Sequence, residues 1–101
     1  MRRAAKVDAN QPEIVAAFRA AGCSVQPLHA VGEGVPDLLV WTGAGGLRLV
    51  EVKDGAKPPS ARRLTDRQVE WHEAWRGPVE VIVSVDDALA WLALVRANPR
   101  A

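Results

Sequence analysis

The chain has 101 residues, of which 49% are apolar and 25% charged, with a formal net charge of +1; this is the composition of one globular domain with a single core and excludes extended disorder. A lone cysteine, Cys23, excludes an internal disulfide, and with only His29 and His72 beside it no structural zinc cluster can form. No apolar run approaches a membrane span, and the N-terminal MRRAAKVDAN lacks the hydrophobic region of a secretory signal, so a cytoplasmic protein with no membrane partner is expected.

A single domain covers residues 1–101, with 1–9 as a flexible basic N-terminus. The helical spacing of Ile14, Phe18 and Ala21 predicts a helix over residues 11–21, capped by Asn10, with Pro12 in its first turn and Gly22 at its end. A short strand over 24–28 follows, then a turn-rich segment, 29–36, in which Gly32 and Gly34 permit conformations other residues resist. Residues 37–42 and 47–53 are short apolar runs joined by Gly43-Ala44-Gly45-Gly46, which has the length and chemistry of a hairpin connection. That glycine-rich turn is not a phosphate cradle, because no Gly-Lys-Ser/Thr ending follows and a strand comes next.

Residues 54–63 carry glycine, two adjacent prolines and several cations, and read as an exposed, mobile loop. Thr65-Asp66-Arg67-Gln68 has the form of a capping box, with Leu64 and Val69 as a hydrophobic staple, and opens a second helix that should stop at Gly77-Pro78. Residues 79–83 form a β-branched strand, and Ser84 caps a last helix with Leu89, Leu92 and Val95 on one stripe. The order α, β, β, β, α, β, α describes an α/β fold, a small mixed β-sheet flanked by helices.

Three charges adjoin the most apolar stretch. Side chains alternate along a strand, so Glu51 and Lys53 share one face while Val50 and Val52 point to the other. An antiparallel hairpin brings Asp37 to the same end, and the three converge only if Asp37 faces an odd-numbered partner such as Glu51 or Lys53. Two close carboxylates repel unless a cation sits between them. Mg²⁺, for which Mn²⁺ substitutes, prefers oxygen ligands with several waters retained, and Asp37, Glu51 and the carbonyl of Val52 supply a partial cage. An ammonium from Lys53 at that corner would hold an attacking water and offset phosphate charge. The chemistry is phosphodiester hydrolysis. Neither histidine has a serine or cysteine partner with an orienting acid, so a nucleophile triad is not indicated.

Pro36-Asp37 with Glu51-Val52-Lys53 resembles the signature of the PD-(D/E)XK nuclease superfamily. The surrounding Gly34-Val35-Pro36-Asp37-Leu38-Leu39 and Leu64-Thr65-Asp66-Arg67-Gln68 resemble short stand-alone virus-type replication-repair nuclease (VRR-NUC) domains. The resemblance covers residues 11–89 and implies a restriction-endonuclease-like core and a Mg²⁺- or Mn²⁺-dependent DNA endonuclease leaving a 5′ phosphate, with no organic cofactor. It implies catalytic roles for Asp37, Glu51, Lys53 and Gln68, and a metal ligand in Glu13.

Several residues carry a second reading. A carboxylate at Glu13 also suits a helix N-terminus, and the capping box alone accounts for Gln68. Trp71 and Trp75 at helical spacing read as core, and His72 as a partnered helix residue with only a weak claim to touch substrate. Positive charge gathers at Arg2, Arg3 and Lys6 and again at Lys57, Arg62, Arg63 and Arg67; the second group leaves the catalytic strand directly, where it would hold a DNA backbone. One active corner cuts one strand, so a two-fold homodimer is the simplest arrangement for a duplex. With no base-reading helix or spare domain, structure-directed cutting of branched DNA, a junction or a flap, in replication, recombination or repair is expected over site-specific restriction. The rival is a non-catalytic DNA-binding or assembly module that keeps the fold.

Overall fold

A computed structural model describes residues 7–98. The first helix, α1 (Gln11–Ala20), starts with proline in its first turn and buries Ile14, Val15 and Phe18. It ends in a Schellman arrangement, in which the amide of Cys23 donates to the Phe18 carbonyl and that of Gly22 to the Arg19 carbonyl. Gly22, at φ +89°, supplies the left-handed residue this ending requires. Asn10 holds the N-cap position, but its side chain makes no capping hydrogen bond. Its backbone is already helical, and its side chain donates to the carbonyls of Lys53 at 3.0 Å and Val83 at 3.1 Å. Those carbonyls lie just past two strand ends, where a buried acceptor must find a partner outside the ladder, so Asn10 ties the start of α1 to one end of the sheet.

Four strands, β1 (Ser24–Pro27), β2 (Leu38–Trp41), β3 (Leu47–Val52) and β4 (Val79–Ile82), form one mixed sheet in the order β1-β2-β3-β4. The first two pairings are antiparallel and the third is parallel. A parallel neighbour requires a crossover, and this one contains a 3₁₀ turn, Pro59–Arg62, and the helix α2 (Asp66–Ala74). The last helix, α3 (Val85–Ala97), is capped by the Ser84 hydroxyl, which accepts from the Asp87 amide. The observed order is the α, β, β, β, α, β, α expected.

Alternation divides the sheet. Leu38, Val40, Val50, Val52 and Ile82 point to the face covered by α1 and α3 and make the core with Ile14, Phe18, Ala88, Trp91, Leu92 and Val95. Phe18 meets Trp91 edge to face at 5.9 Å. Leu39, Trp41, Leu47, Leu49 and Glu51 belong to the opposite face, over whose Glu51 end α2 lies.

Local differences from the sequence expectations have simple causes. Each strand ends one residue sooner than the apolar runs suggested, apart from β2, which loses one at either end. The loop 54–63 is partly ordered by its 3₁₀ turn, and α2 stops at Ala74, ahead of Gly77-Pro78. The buried stripe of α3 runs through Ala88, Trp91, Leu92 and Val95, leaving Leu89 exposed. Trp71 and Trp75 stack on each other, centroids 4.9 Å apart and rings 18° from parallel, and α2 contributes no buried residue. Arg2, Arg3 and Lys6 lie outside the described residues. Among the described residues no helix is long and apolar enough to cross a membrane.

Candidate functional site

The β2–β3 register pairs Leu38 with Val50; carried one residue outward, it sets Asp37 opposite Glu51, the odd-numbered partner that convergence needs. Asp37 is fixed from two sides. Its carbonyl accepts from the Leu28 amide at 2.7 Å, and its Oδ2 accepts from the Val52 amide, also at 2.7 Å. Glu51 is fully buried, and Asp37 and Lys53 nearly so.

The burial of Glu51 comes from α2, and the chemistry of that helix end explains how. Thr65 and Gln68 form the capping box, with the Gln68 amide donating to Thr65 Oγ1 and the Thr65 amide donating to Gln68 Oε1 at 2.9 Å. The same Oε1 accepts from Lys53 Nζ at 2.7 Å, while Gln68 Nε2 donates to Glu51 Oε2 at 3.2 Å. One turn later, His72 Nε2 lies 3.3 Å from Glu51 Oε1. Gln68 and His72 are four residues apart and so share a helix face. Gly34 lets this helix end approach, because at φ +82° it packs against the Arg67 carbonyl and a Cβ there would collide with it.

Burial first, then the hydrogen bond with Asp37 and the Asp37 charge, push the Glu51 carboxyl up to about 10; Lys53 opposes this and Asp8 adds to it. Burial, then the Lys53 charge, lower the His72 pKa. Near neutral pH, with no cation at the corner, Glu51 therefore keeps its proton and bonds to Asp37. A divalent cation would compete with that proton for the same oxygens. The donor set is hard oxygen, which suits Mg²⁺ or Mn²⁺. Among the described residues no three His, Cys, Asp or Glu side chains group as metal ligands, so an ion held by Asp37 and Glu51 would complete its shell with water or main-chain oxygen, as Mg²⁺ commonly does.

Asp37, Glu51, Lys53 and Gln68 thus come together, and Val52 joins them through the amide it gives to Asp37. Glu13 is exposed on the first turn of α1. The acid from this end whose charge reaches Glu51 is Asp8, which sequence reasoning missed. Its one sequence signal is its place two residues before Asn10, whose side chain anchors the segment to Lys53 and Val83. Lys57, Arg63 and Arg67 are exposed, and Arg62 is half-buried with its Nε lacking a partner among the described residues. Lys57 Nζ stands 3.9 Å from Asp8 Oδ1, which brings the start of the basic loop beside the segment that leads to the corner. His29 lines a separate apolar groove with Val7, Gln11 and Arg19.

What the geometry defines is a small α/β domain with a buried carboxyl pair and an ammonium at one sheet end, all under one helix. Comparison of the chain with family models, with curated proteins and with solved structures found no match.

Proposed function

We propose that this chain is a metal-dependent DNA endonuclease of the PD-(D/E)XK type that its sequence resembles. The observation that carries the reading is the bridge made by Gln68, which ties Lys53 Nζ at 2.7 Å and Glu51 Oε2 at 3.2 Å into one cluster whose other carboxylate, Asp37, bonds to Glu51. Asp37 and Glu51 would hold Mg²⁺ or Mn²⁺, with the Asp8 charge favouring a cation nearby. Such an ion, when bound, polarises a phosphate oxygen and lowers the pKa of a bound water. Lys53, kept in place by Gln68, would orient the attacking water and offset charge on phosphorus. Lys57, Arg63 and Arg67, with Arg62, would position the DNA backbone.

The exposed apolar residues Trp41, Leu47 and Val81 favour a homodimer, which would offer two active corners to a duplex or a branched substrate. Structure-directed cutting fits a chain whose described residues include no recognisable base-reading element. The deciding experiment incubates junction, flap, single-stranded and linear duplex DNA with Mg²⁺ or Mn²⁺, using wild type and Glu51→Gln. Metal-dependent cutting by wild type that is lost in the variant is the expected result. DNA retention with no cutting of any substrate in either metal would assign the chain to the non-catalytic binding modules.

A further inference from the structure

Both oxygens of Glu51 meet side chains of α2, Oε2 through Gln68 and Oε1 through His72. The capping box requires Gln68 at its position whatever the site does, but nothing in the helix end requires His72. Its side chain is only 16% exposed, although α2 contributes no buried residue to the core. Trp71, its neighbour in the chain, lies edge to face with the imidazole at 6.2 Å and 77°. Asp37 has an equivalent constraint in the Val52 amide at 2.7 Å. Each carboxyl of the pair therefore has a partner outside the pair that sets its rotation.

We propose that His72 is a positioning residue for Glu51: with its ring proton on Nε2 it donates to Oε1 of the ionised carboxylate and turns the remaining lone pairs toward a divalent cation shared with Asp37. The proposal rests on the nuclease reading and adds to it a residue that acts through a ligand, without touching substrate. Outer partners of this kind commonly control metal affinity, because a carboxylate free to rotate presents its lone pairs to the ion only part of the time.

The test uses calorimetric titration of Mg²⁺ into the full chain without DNA, beside the Mg²⁺ concentration for half-maximal cleavage, in wild type, His72→Ala and His72→Gln. Alanine should weaken uptake and shift the activation curve by roughly tenfold or more, leaving KM for DNA at saturating metal unchanged. Glutamine, whose amide can donate to Oε1, should restore most of the loss, which a merely structural role would not predict. Thermal melts confirm that both variants fold, as expected of a side chain outside the core. Wild-type affinity in His72→Ala, or a glutamine variant no better than alanine, overturns the proposal while leaving the nuclease reading intact. Neither ion uptake nor cutting by wild type overturns both.

Discussion

Glu51 faces Asp37 across the open end of the β2–β3 hairpin, and the two carboxyl groups share a hydrogen bond, with Glu51 fully buried and Asp37 nearly so. The arrangement is favourable only while Glu51 holds its proton or a cation replaces it. With both groups ionised the pair is destabilising, and under the proposed function a doubly charged ion between them would relieve that repulsion.

That repulsion should be visible as a pH dependence of stability. Glu51 has an ordinary value of 4.5 and is pushed up to about 10 in the folded chain. The folded state binds more protons between those values, so the contribution of this group is fully present below the unfolded value and is lost as pH rises toward the folded one. Metal-free protein should lose stability across that window by at most about 1.4 kcal/mol per pH unit. Glu51→Gln should flatten the slope, and Mg²⁺ binding near neutrality should release about one proton, read from calorimetry in buffers of different ionisation enthalpy. An equal slope in the glutamine variant would place the titrating group elsewhere.

A substitution at Lys53 tests the proposed chemistry apart from DNA binding. Lys53 Nζ is held by Gln68 Oε1, and its charge opposes the upward shift of Glu51. Lys53→Ala should cut DNA roughly 100- to 1000-fold more slowly, the typical loss when a group stabilising transition-state charge is removed, while retaining DNA affinity. Fluorescence anisotropy for binding and single-turnover cleavage for chemistry measure the two effects on one sample. Parallel loss of both would make Lys53 a binding residue.

Much of this corner is legible in the sequence because local rules fix it. A short glycine-rich turn between two alternating runs sets the register, and the register sets which charges meet. Gln68 is the instructive case. Capping and contact with the acidic corner are compatible roles, because one Oε1 accepts from both the Thr65 amide and Lys53 Nζ. Asp8 and Asn10 were not legible, since their roles depend on which end of α1 docks against the sheet, and no local pattern encodes that. In α3 the segment Leu89-Ala90-Trp91-Leu92-Ala93-Leu94-Val95 is apolar nearly all round, so the phase of its buried stripe is ambiguous until α1 packs on it. Trp71 and Trp75 misled for a related reason: bulk implies burial only where a core exists to receive it.

The uncovered part of the sheet gives a prediction about assembly. Trp41 and Leu47 pair across the hairpin and are 50% and 61% exposed, at the end of the face that α2 leaves open. A stable pairing of copies buries about 800 Å² per partner with an apolar centre, and this end of the sheet is the best candidate to supply it. If the proposed dimer pairs through this face, Leu47→Glu should shift sedimentation from dimer to monomer and reduce double-strand cleavage more than nicking. Identical sedimentation of wild type and variant would remove this face from consideration.

Gly34 links the turn-rich segment to α2 and offers a test that needs no assumption about substrate. Alanine there meets two obstacles, a left-handed backbone that costs an L-residue about 1–2 kcal/mol and collision of its Cβ with the Arg67 carbonyl. The cheapest relief is movement of the first turn of α2, because that helix buries no residue in the core and is held near Glu51 by polar contacts from Gln68 and His72. Gly34→Ala should accelerate hydrogen exchange of the α2 amides, and amides of α1 and α3 should keep their wild-type protection, because Phe18 and Trp91 anchor those helices on the other side of the sheet. Loosening Gln68 and His72 together should weaken Mg²⁺ uptake in the same variant by at least the tenfold expected for an outer-partner defect. Unchanged exchange in α2 would mean that the segment carrying Gly34 yields instead, and that the helix is held over the corner by something stronger than this close approach.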